Sequence, residues 1–325
     1  MKEGQLKVKL KEHLWLILGG MIFFILIIQI GLKETWLALK VVNPFYFLGS
    51  LILIAIGQQF IPLLKWILMN HKTKMDLDIR KILFFTSHAI LGGTITPVRS
   101  GEFVAAFMGK GVQGKIASLL LFNRLIESIV TFLIALFVFG FFLKDVISLE
   151  SWISFGIILG SLLLFFYFLV TKEQLGLWLL TKGQKIFTIL GKGKFSKKIL
   201  DSEKKMTKEV GEFYKSTRKL FSMDTVIFVL LLTILNWALI LLANWGIFFS
   251  MGVSISLMTV LAVIVLSAIG SFISPTPGGI GLGDIPSAYF LLTQGCQEAG
   301  AYLILARFAV YVVAFGWYFL MGKGR

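Results

Sequence analysis

Cysteine and histidine are scarce in this chain, with one cysteine and three histidines among 325 residues. The single cysteine, Cys296, excludes an internal disulfide and a metal site built from cysteines. The histidines, His13, His71 and His88, lack the spacing of metal ligands. Surface or packed positions suit them better, so we expect no metal and no cofactor.

Acidic residues are also scarce: 17 aspartates and glutamates stand against 32 lysines and arginines, which gives a net charge of +15. The basic residues cluster at 2–11, 65–81 and 172–219, and thirteen of them lie in the last range. Each cluster adjoins an apolar segment. Basic clusters beside membrane helices are typical of cytoplasmic loops. We therefore expect no nucleic-acid partner.

The chain lacks a recognisable catalytic or cofactor pattern. It has no Ser-His-Asp group and no metal-binding carboxylate motif, and its glycine-rich stretch at 278–283 is not followed by Gly-Lys-Ser or Gly-Lys-Thr. These absences argue against an enzyme. A membrane-embedded enzyme or accessory factor of lipid or glycan assembly stays open, because a few intramembrane charges can catalyse lipid chemistry. A transporter of small polar solutes is a third reading.

Long apolar runs dominate instead. The chain is 57% hydrophobic, far more than is usual for a soluble protein, and a helix needs about 20 apolar residues to cross a bilayer. The sequence predicts an all-α polytopic membrane protein, a single membrane domain over 1–325 with about six full transmembrane helices. These spans are predicted at 14–31, 44–66, 115–143, 151–171, 223–250 and 300–322.

Two breaks interrupt the apolar sequence with proline, glycine and charge. The first, at 94–102, reads TITPVRSGE, and the second, at 274–284, reads SPTPGGIGLGD. Proline removes a backbone donor and disfavours helix at the residue before it. Each break precedes a helix with an arginine near its first third, and corresponding residues lie 180 to 183 positions apart. Broken helices at corresponding positions of two halves point to a transport site.

Charge bias predicts how the segments are oriented in the plasma membrane. The basic stretches belong in the cytoplasm: the N-terminus, 65–81, 172–222 and the C-terminus. The loops with little net positive charge belong outside: 33–40, 144–150 and 251–255. The chain is therefore expected to be multi-pass with both termini cytoplasmic, and 172–222 to be a basic cytoplasmic loop.

This assignment of loops to the two sides is consistent along the chain only if each broken segment enters and leaves on the same face of the membrane. Segment 82–109 would then dip in from the cytoplasm and segment 256–295 from outside. We predict two re-entrant helical hairpins in an inverted repeat, with repeat A at 44–143 and repeat B at 223–322. Non-helical backbone at membrane depth is tolerated only where it is buried or lines a wet cavity, so the hairpin tips should meet.

Six charged residues fall inside the two repeats, three of each sign: Arg99, Glu102, Arg124, Glu127, Asp284 and Arg307. A charge at the bilayer centre costs ~2.5–3.5 kcal/mol on insertion scales, so these side chains should face one another or a cavity. We predict that Arg99 or Arg307 pairs with an acid of the other repeat. The candidates for binding an anionic substrate are Arg99, Glu102, Arg124, Asp284 and Arg307.

Small and hydroxyl-bearing residues complete the candidate site. Gly278, Gly279 and Gly281 allow backbone to approach a ligand closely. Thr96 and Thr276 add hydroxyls that could bond either a head group or backbone freed by the break.

Several of these residues also have purely structural interpretations. Arg124 and Glu127 are three apart on one helix and can pair without a ligand. Asp284 suits a helix N-cap beside Pro286. Four amide side chains in the flanking spans are best explained by interhelical hydrogen bonds: Gln58, Gln59, Asn236 and Asn244.

Apolar residues recur near helical spacing among the lysines of 195–221. A basic amphipathic helix on an anionic inner leaflet explains the pattern. A solvated helical linker explains it equally well.

The two breaks resemble motifs of the lysylphosphatidylglycerol synthase transmembrane-region family, also called flippase-like membrane proteins. The first resembles that family's Thr-Pro-x-Arg-x-Gly-Glu pattern at Thr96, Pro97, Arg99, Gly101 and Glu102. The second is similar to Pro-x-x-Pro-Gly-Gly-x-Gly-x-x-Glu, with Asp284 in place of glutamate. Residues 123–127, NRLIE, stand where the family has Glu-Arg-x-x-Asp and depart from it at two acidic positions. Arg307 matches a late arginine.

The resemblance covers nearly the whole chain and implies a helical membrane domain that moves lipids between leaflets. The implied substrate is an anionic or polyprenyl-phosphate-linked lipid, and membrane lipids are the expected partners. The aminoacyl-transferase activity of the synthases belongs to an additional soluble domain and is not expected here. A homo-oligomer stays open.

Overall fold

A computed structural model describes residues 20–109, 111–141 and 208–321, together with Leu18 and single positions between 150 and 174. The described residues form helices joined by short turns, with no strand among them. In chain order the helices are α1 Gly20–Ile30, α2 Leu32–Lys40, α3 Pro44–Thr73, α4 Ile79–Ile95, α5 Val104–Met108, α6 Gln113–Phe141, α7 at 208–220, α8 Met223–Ser250, α9 Leu257–Ile273, α10 Ile285–Thr293 and α11 Ala299–Met321.

Four helices are long and apolar enough to cross a membrane: α3, α6, α8 and α11. They coincide with four of the predicted spans, although α3 continues to Thr73 rather than ending at 66. The predicted span at 151–171 lies mostly outside the described residues. The chain is thus a multi-pass helical membrane protein.

The N-terminal region differs from the prediction. The described part of the span predicted at 14–31 is α1, which meets α2 at an angle of 89°. Residues 33–40 were expected to be a loop, and this expectation is wrong because they form α2. Thr35 and Ala38 are buried on one face of α2, while its three charged residues are exposed. The short helix therefore packs one narrow face on the protein and leaves its charges exposed.

Helix α3 contains a π turn at Ile56–Phe60. Pro62 follows it, and a proline inside a helix removes one hydrogen bond and clashes with the carbonyl four residues earlier. The wider turn accommodates this, because the amide of Ile61 donates to the carbonyl of Ile56, five residues back. The helix therefore continues through its proline.

Each predicted hairpin is present as two helical arms around a break. In the first, α4 leads to a 3-10 helix at Pro97–Phe103 and then α5; in the second, α9 leads to short 3-10 turns and then α10. The leading arms have matching N-caps: Asp78 accepts from the amide of Lys81 at 2.9 Å, and Ser256 accepts from Thr259 at 3.0 Å.

Within each hairpin the leading arm touches the break backbone to backbone at a pair of glycines. A Cβ added to Gly92 would overlap the carbonyl of Gly101, and one added to Gly270 would overlap the carbonyl of Gly283. The same order of span, hairpin and span therefore occurs in both halves, with the same close contact. That the two hairpins enter from opposite faces stays a prediction.

Apolar packing holds the two halves together. One core surrounds the first hairpin and includes Met69, Ile82, Ala105 and Leu119. The other surrounds the second hairpin and includes Phe248, Val263, Leu291 and Leu303. These cores set the positions of the breaks between them.

Helix α7 packs against the start of α6. The amide of Gly114 donates to the carboxylate of Glu209 at 2.7 Å, and Leu220 is fully buried in the first core. The C-terminal part of the amphipathic segment predicted at 195–221 is thus helical and packed on protein. Residues 195–207 lie outside the described residues.

Candidate functional site

The tips of the two hairpins are in contact, as predicted. The amide of Gly278 donates to the carbonyl of Thr96 at 3.3 Å, and the hydroxyl of Tyr311 lies 3.4 Å from the carbonyl of Thr94. The two breaks therefore meet, and both halves of the chain contribute to the contact.

Arg99 occupies the tip of the first break in a left-handed backbone conformation, with φ at 55°. This conformation costs a residue with a side chain roughly 1–2 kcal/mol. Its Nε lies 2.9 Å from Oε1 of Glu102, and 58% of its side chain is exposed. The tip thus presents a guanidinium at the surface of the break.

Glu102 is the acceptor that joins the first break to α6. The Nε of Arg124 donates to its Oε2 at 2.7 Å, and Nη2 of Arg124 also donates to its Oε1. This two-point contact is the strong form of an arginine–carboxylate pair. The predicted pair within α6 is present too, with Nη1 of Arg124 3.1 Å from Oε2 of Glu127.

Lys65 is a member of the site that sequence reasoning missed. It belongs to the basic stretch 65–81 that charge bias assigns to the cytoplasm, yet its side chain is fully buried and its Nζ lies 3.2 Å from Oε1 of Glu127. The side-chain amide of Asn123 donates to the same oxygen at 2.8 Å. The signal that could have found Lys65 was its position in an otherwise apolar stretch.

Arg307 and Asp284 hold the second break. The Nη2 of Arg307 lies 2.6 Å from Oδ1 of Asp284, and its Nη1 and Nη2 donate to the carbonyls of Gly278 and Gly279 at 2.7 and 3.3 Å. The other carboxylate oxygen accepts from the amide of Gly281 at 3.0 Å. Asp284 takes the N-cap position of α10 without capping it through its side chain.

The prediction that these ion pairs cross between the repeats is wrong. Arg99 and Arg124 pair with Glu102 in the first half, and Arg307 pairs with Asp284 in the second. Each arginine is held by the acid of its own break, and the halves meet through backbone groups. In each pair the acid lies on the hairpin, and the arginine lies on the same hairpin or on the helix that follows it.

The candidate hydroxyls serve the breaks themselves. Thr96 donates to the carbonyl of Gly92 at 2.7 Å and accepts from the amide of Gly101 at 2.6 Å. Thr276 is fully buried and donates to the carbonyl of Ile280 at 2.7 Å. Of the two roles left open for these threonines, the structure displays the bonding of freed backbone.

The interpretation of the amide side chains holds for one residue and is wrong for another. Asn244 in α8 accepts from the hydroxyl of Tyr302 in α11 at 2.8 Å, which is an interhelical hydrogen bond. Gln59, in the π turn, is fully buried, and neither of its amide atoms has a partner among the described residues. The Oδ1 of Asn236, beside Gly57 of the same turn, is also without one.

The described residues do not form a metal site. Among the described residues, no three His, Cys, Asp or Glu side chains lie close enough together to hold a metal ion. What the site offers to a ligand is the exposed guanidinium of Arg99, a group suited to binding an anion.

Comparison with known proteins gives a family and two relatives. Residues 14–317 match the lysylphosphatidylglycerol synthase TM region. A UPF0104 membrane protein of Pyrococcus horikoshii is 24% identical over 306 residues, covering 89% of each chain. A UPF0104 membrane protein of Methanocaldococcus jannaschii is 24% identical over 290 residues, covering 86% of this chain and 84% of the relative. No solved structure matches.

Proposed function

We propose, since this chain belongs to the lysylphosphatidylglycerol synthase TM region family, that it is a lipid flippase. It moves a lipid with an anionic or polyprenyl-phosphate-linked head group between the leaflets of the plasma membrane. Both termini lie in the cytoplasm, and the two halves form an inverted repeat whose hairpins open alternately toward the two faces.

One observation carries this proposal: two broken helices, each with a carboxylate that is paired with an arginine, touch at their tips. Charged residues and irregular backbone at membrane depth are costly when they face lipid. Where they occur, they are expected to face the protein interior or a water-filled cavity and to mark a substrate pathway. A head group bound at the tips would sit among these charges. Its acyl tails would stay in the surrounding lipid.

The first break has the more accessible cation. Glu102 is shared between Arg99 and Arg124. A phosphate that takes Arg99 therefore leaves Glu102 neutralised by Arg124. The head group can bind by exchanging one ion pair for another, without leaving a carboxylate unpaired.

The test is lipid redistribution in proteoliposomes. Purified protein is reconstituted with fluorescent phosphatidylglycerol, and the fraction accessible to a quencher that cannot cross the membrane is followed with time. We expect the wild type to move the lipid and Arg99→Ala to slow it at least tenfold. Arg80→Ala is the matched control, because Arg80 is an exposed arginine in the first turn of α4.

Two results would reject the proposal. The wild type could leave the lipid in its original leaflet, or Arg99→Ala could move it at the wild-type rate. If the recovered lipid is chemically altered, the protein is a membrane-embedded enzyme instead.

A further inference from the structure

The two breaks differ in their charge. In the first half, contacts within 4 Å link Lys65, Arg99 and Arg124 to the carboxylates of Glu102 and Glu127. We call these five residues the first-half cluster. Three cations and two carboxylates leave one positive charge over.

The second half has no such excess. Arg307 and Asp284 form a neutral pair. Four of the five N–H groups of Arg307 are used, by the carboxylate of Asp284 and the carbonyls of Gly278 and Gly279. Asp284 is fully buried. Its pairing with Arg307 stabilises the second break and leaves little of either side chain free to bind a ligand.

The excess in the first half originates in Lys65. Without this lysine, two arginines would balance two carboxylates. Its side chain is 1% exposed, and Glu127 is the acid that it contacts. Burying an ammonium group is unfavourable unless it is fully compensated, and Glu127 already accepts from Arg124 and Asn123. A charge kept at this cost is expected to have a use.

The excess charge can reach a ligand through Arg99. Arg99 is 58% exposed and is by far the most accessible member of the cluster, and its left-handed backbone holds it at the tip. An anion there would be stabilised by the whole cluster, including Lys65, which it does not touch.

We propose that the first-half cluster is matched to a single negative charge and that Lys65 sets this selectivity. Resting on the proposed function, this identifies the substrate class as a lipid with a phosphodiester and no other charge. A phosphodiester carries one negative charge, whereas a terminal phosphate carries about −1.5 to −2 at pH 7. Lys65 acts through the net charge of the cluster without contacting the lipid, whereas Arg99 contacts the phosphate.

The experiment changes the cluster charge one step at a time. Lys65→Met makes the cluster neutral with little change in side-chain length, Glu127→Gln raises its charge to two, and the double variant restores one. Binding is measured in detergent with phosphatidylglycerol, a monoanion, with phosphatidic acid, which approaches a dianion, and with zwitterionic phosphatidylcholine. Lys81→Met is the control, since Lys81 is exposed in the first turn of α4.

We expect the wild type to bind phosphatidylglycerol at least tenfold tighter than either other lipid. Lys65→Met should lose at least tenfold for phosphatidylglycerol, and Glu127→Gln should shift the preference to phosphatidic acid. The double variant should return to the wild-type preference, and Lys81→Met should keep it. Water-soluble glycerophosphoglycerol, added as a competitor, distinguishes a site for a lipid from a site for a free phosphodiester. If the site binds a lipid, the competitor should not displace phosphatidylglycerol.

The proposal is overturned if Lys65→Met binds phosphatidylglycerol like the wild type. It is also overturned if Glu127→Gln weakens both anionic lipids alike, since the cluster would then be a structural ion network. Size-exclusion profiles check folding, and if Lys65→Met does not fold, the comparison of Glu127→Gln with the double variant decides. A protein that binds as expected but moves no lipid rejects the flippase and leaves this inference standing.

Discussion

The amide nitrogen of Gly278 lies 3.3 Å from the carbonyl oxygen of Thr96, so the two breaks are joined backbone to backbone. Gly278 has φ at 59°, and Tyr311 and Thr94 crowd the space where a side chain would begin. This contact, rather than an ion pair, connects the two halves at their tips. Its geometry makes Gly278 the first position to test.

Gly278→Ala should destabilise the protein and block lipid movement, because the new Cβ would overlap the carbonyl of Thr94 and lie 2.6 Å from the hydroxyl of Tyr311. Gly295→Ala is the matched control. Gly295 has φ at 73° but no atom within 4 Å of such a Cβ, so it bears only the backbone cost of roughly 1–2 kcal/mol. Thermal unfolding in detergent measures the difference, and equal melting temperatures would contradict the proposed contact.

Arg307→Ala and Arg99→Ala should separate stability from activity. Removing Arg307 leaves Asp284 buried without its partner, which costs about 3–5 kcal/mol. Removing Arg99 leaves Glu102 paired with Arg124. The cation that is lost is exposed to solvent, and such a pair contributes only about 0–1 kcal/mol. Chemical denaturation should therefore show a much larger loss for Arg307→Ala. Similar losses in the two variants would mean that Arg99 is structural.

Gly114→Ala should release α7 from the start of α6, because the added Cβ would overlap the backbone carbonyl of Glu209. Gly211→Ala is the control: Gly211 lies inside α7 with open space around it, and alanine there favours helix by roughly 0.5–1 kcal/mol. Limited proteolysis within 172–222 should be faster for Gly114→Ala and unchanged or slower for Gly211→Ala. Equal rates would show that α7 does not depend on this contact.

The native thiol should react slowly with maleimide. Burial, with a smaller effect from Glu298, raises the pKa of Cys296 to about 11. Because the thiolate is the reactive form, its fraction at pH 7 is only about 10⁻⁴, and labelling should rise about tenfold per pH unit up to pH 10. Gln297→Cys in a Cys296→Ala background is exposed and should label rapidly at pH 7. Fast labelling of Cys296 at pH 7 would refute the pKa shift.

The same background tests the inverted repeat. Single cysteines at 74 and 110 should label from the cytoplasmic side, and those at 253 and 297 from outside. The reason is that each hairpin is expected to return to the face from which it entered. If 74 and 110 label from opposite faces, the first hairpin crosses the membrane and the repeat is not inverted.

Local patterns allowed much of the fold to be predicted. Apolar length located α3, α6, α8 and α11, and proline with glycine located both breaks, because these signals depend on neighbours in the chain. Helix α2 was missed because three charged residues among nine favoured the interpretation as a loop. The π turn was missed because a π turn has no apolar periodicity of its own.

The pairing within the site was harder to predict. The Arg124–Glu127 pair followed from helical spacing. Glu102 with Arg124, and Lys65 with Glu127, are 22 and 62 positions apart. Such pairs depend on how the hairpin arms and spans pack. The sequence therefore placed five charged candidates beside a break and predicted the Arg124–Glu127 pair, but it did not predict their other partners and it missed Lys65.

The π turn in α3 has a consequence for comparing sequences. A hydrogen bond that spans five residues instead of four holds one extra residue, and each residue turns an α-helix by about 100°. Lys65 follows this turn, so its direction toward Glu127 depends on that extra residue. Deleting one residue from Ile56–Phe60 would rotate the lysine away from Glu127, together with every apolar residue that follows it in α3. A relative with an uninterrupted helix here is therefore expected to carry its cation at a neighbouring position, and alignment by residue type alone would miss it.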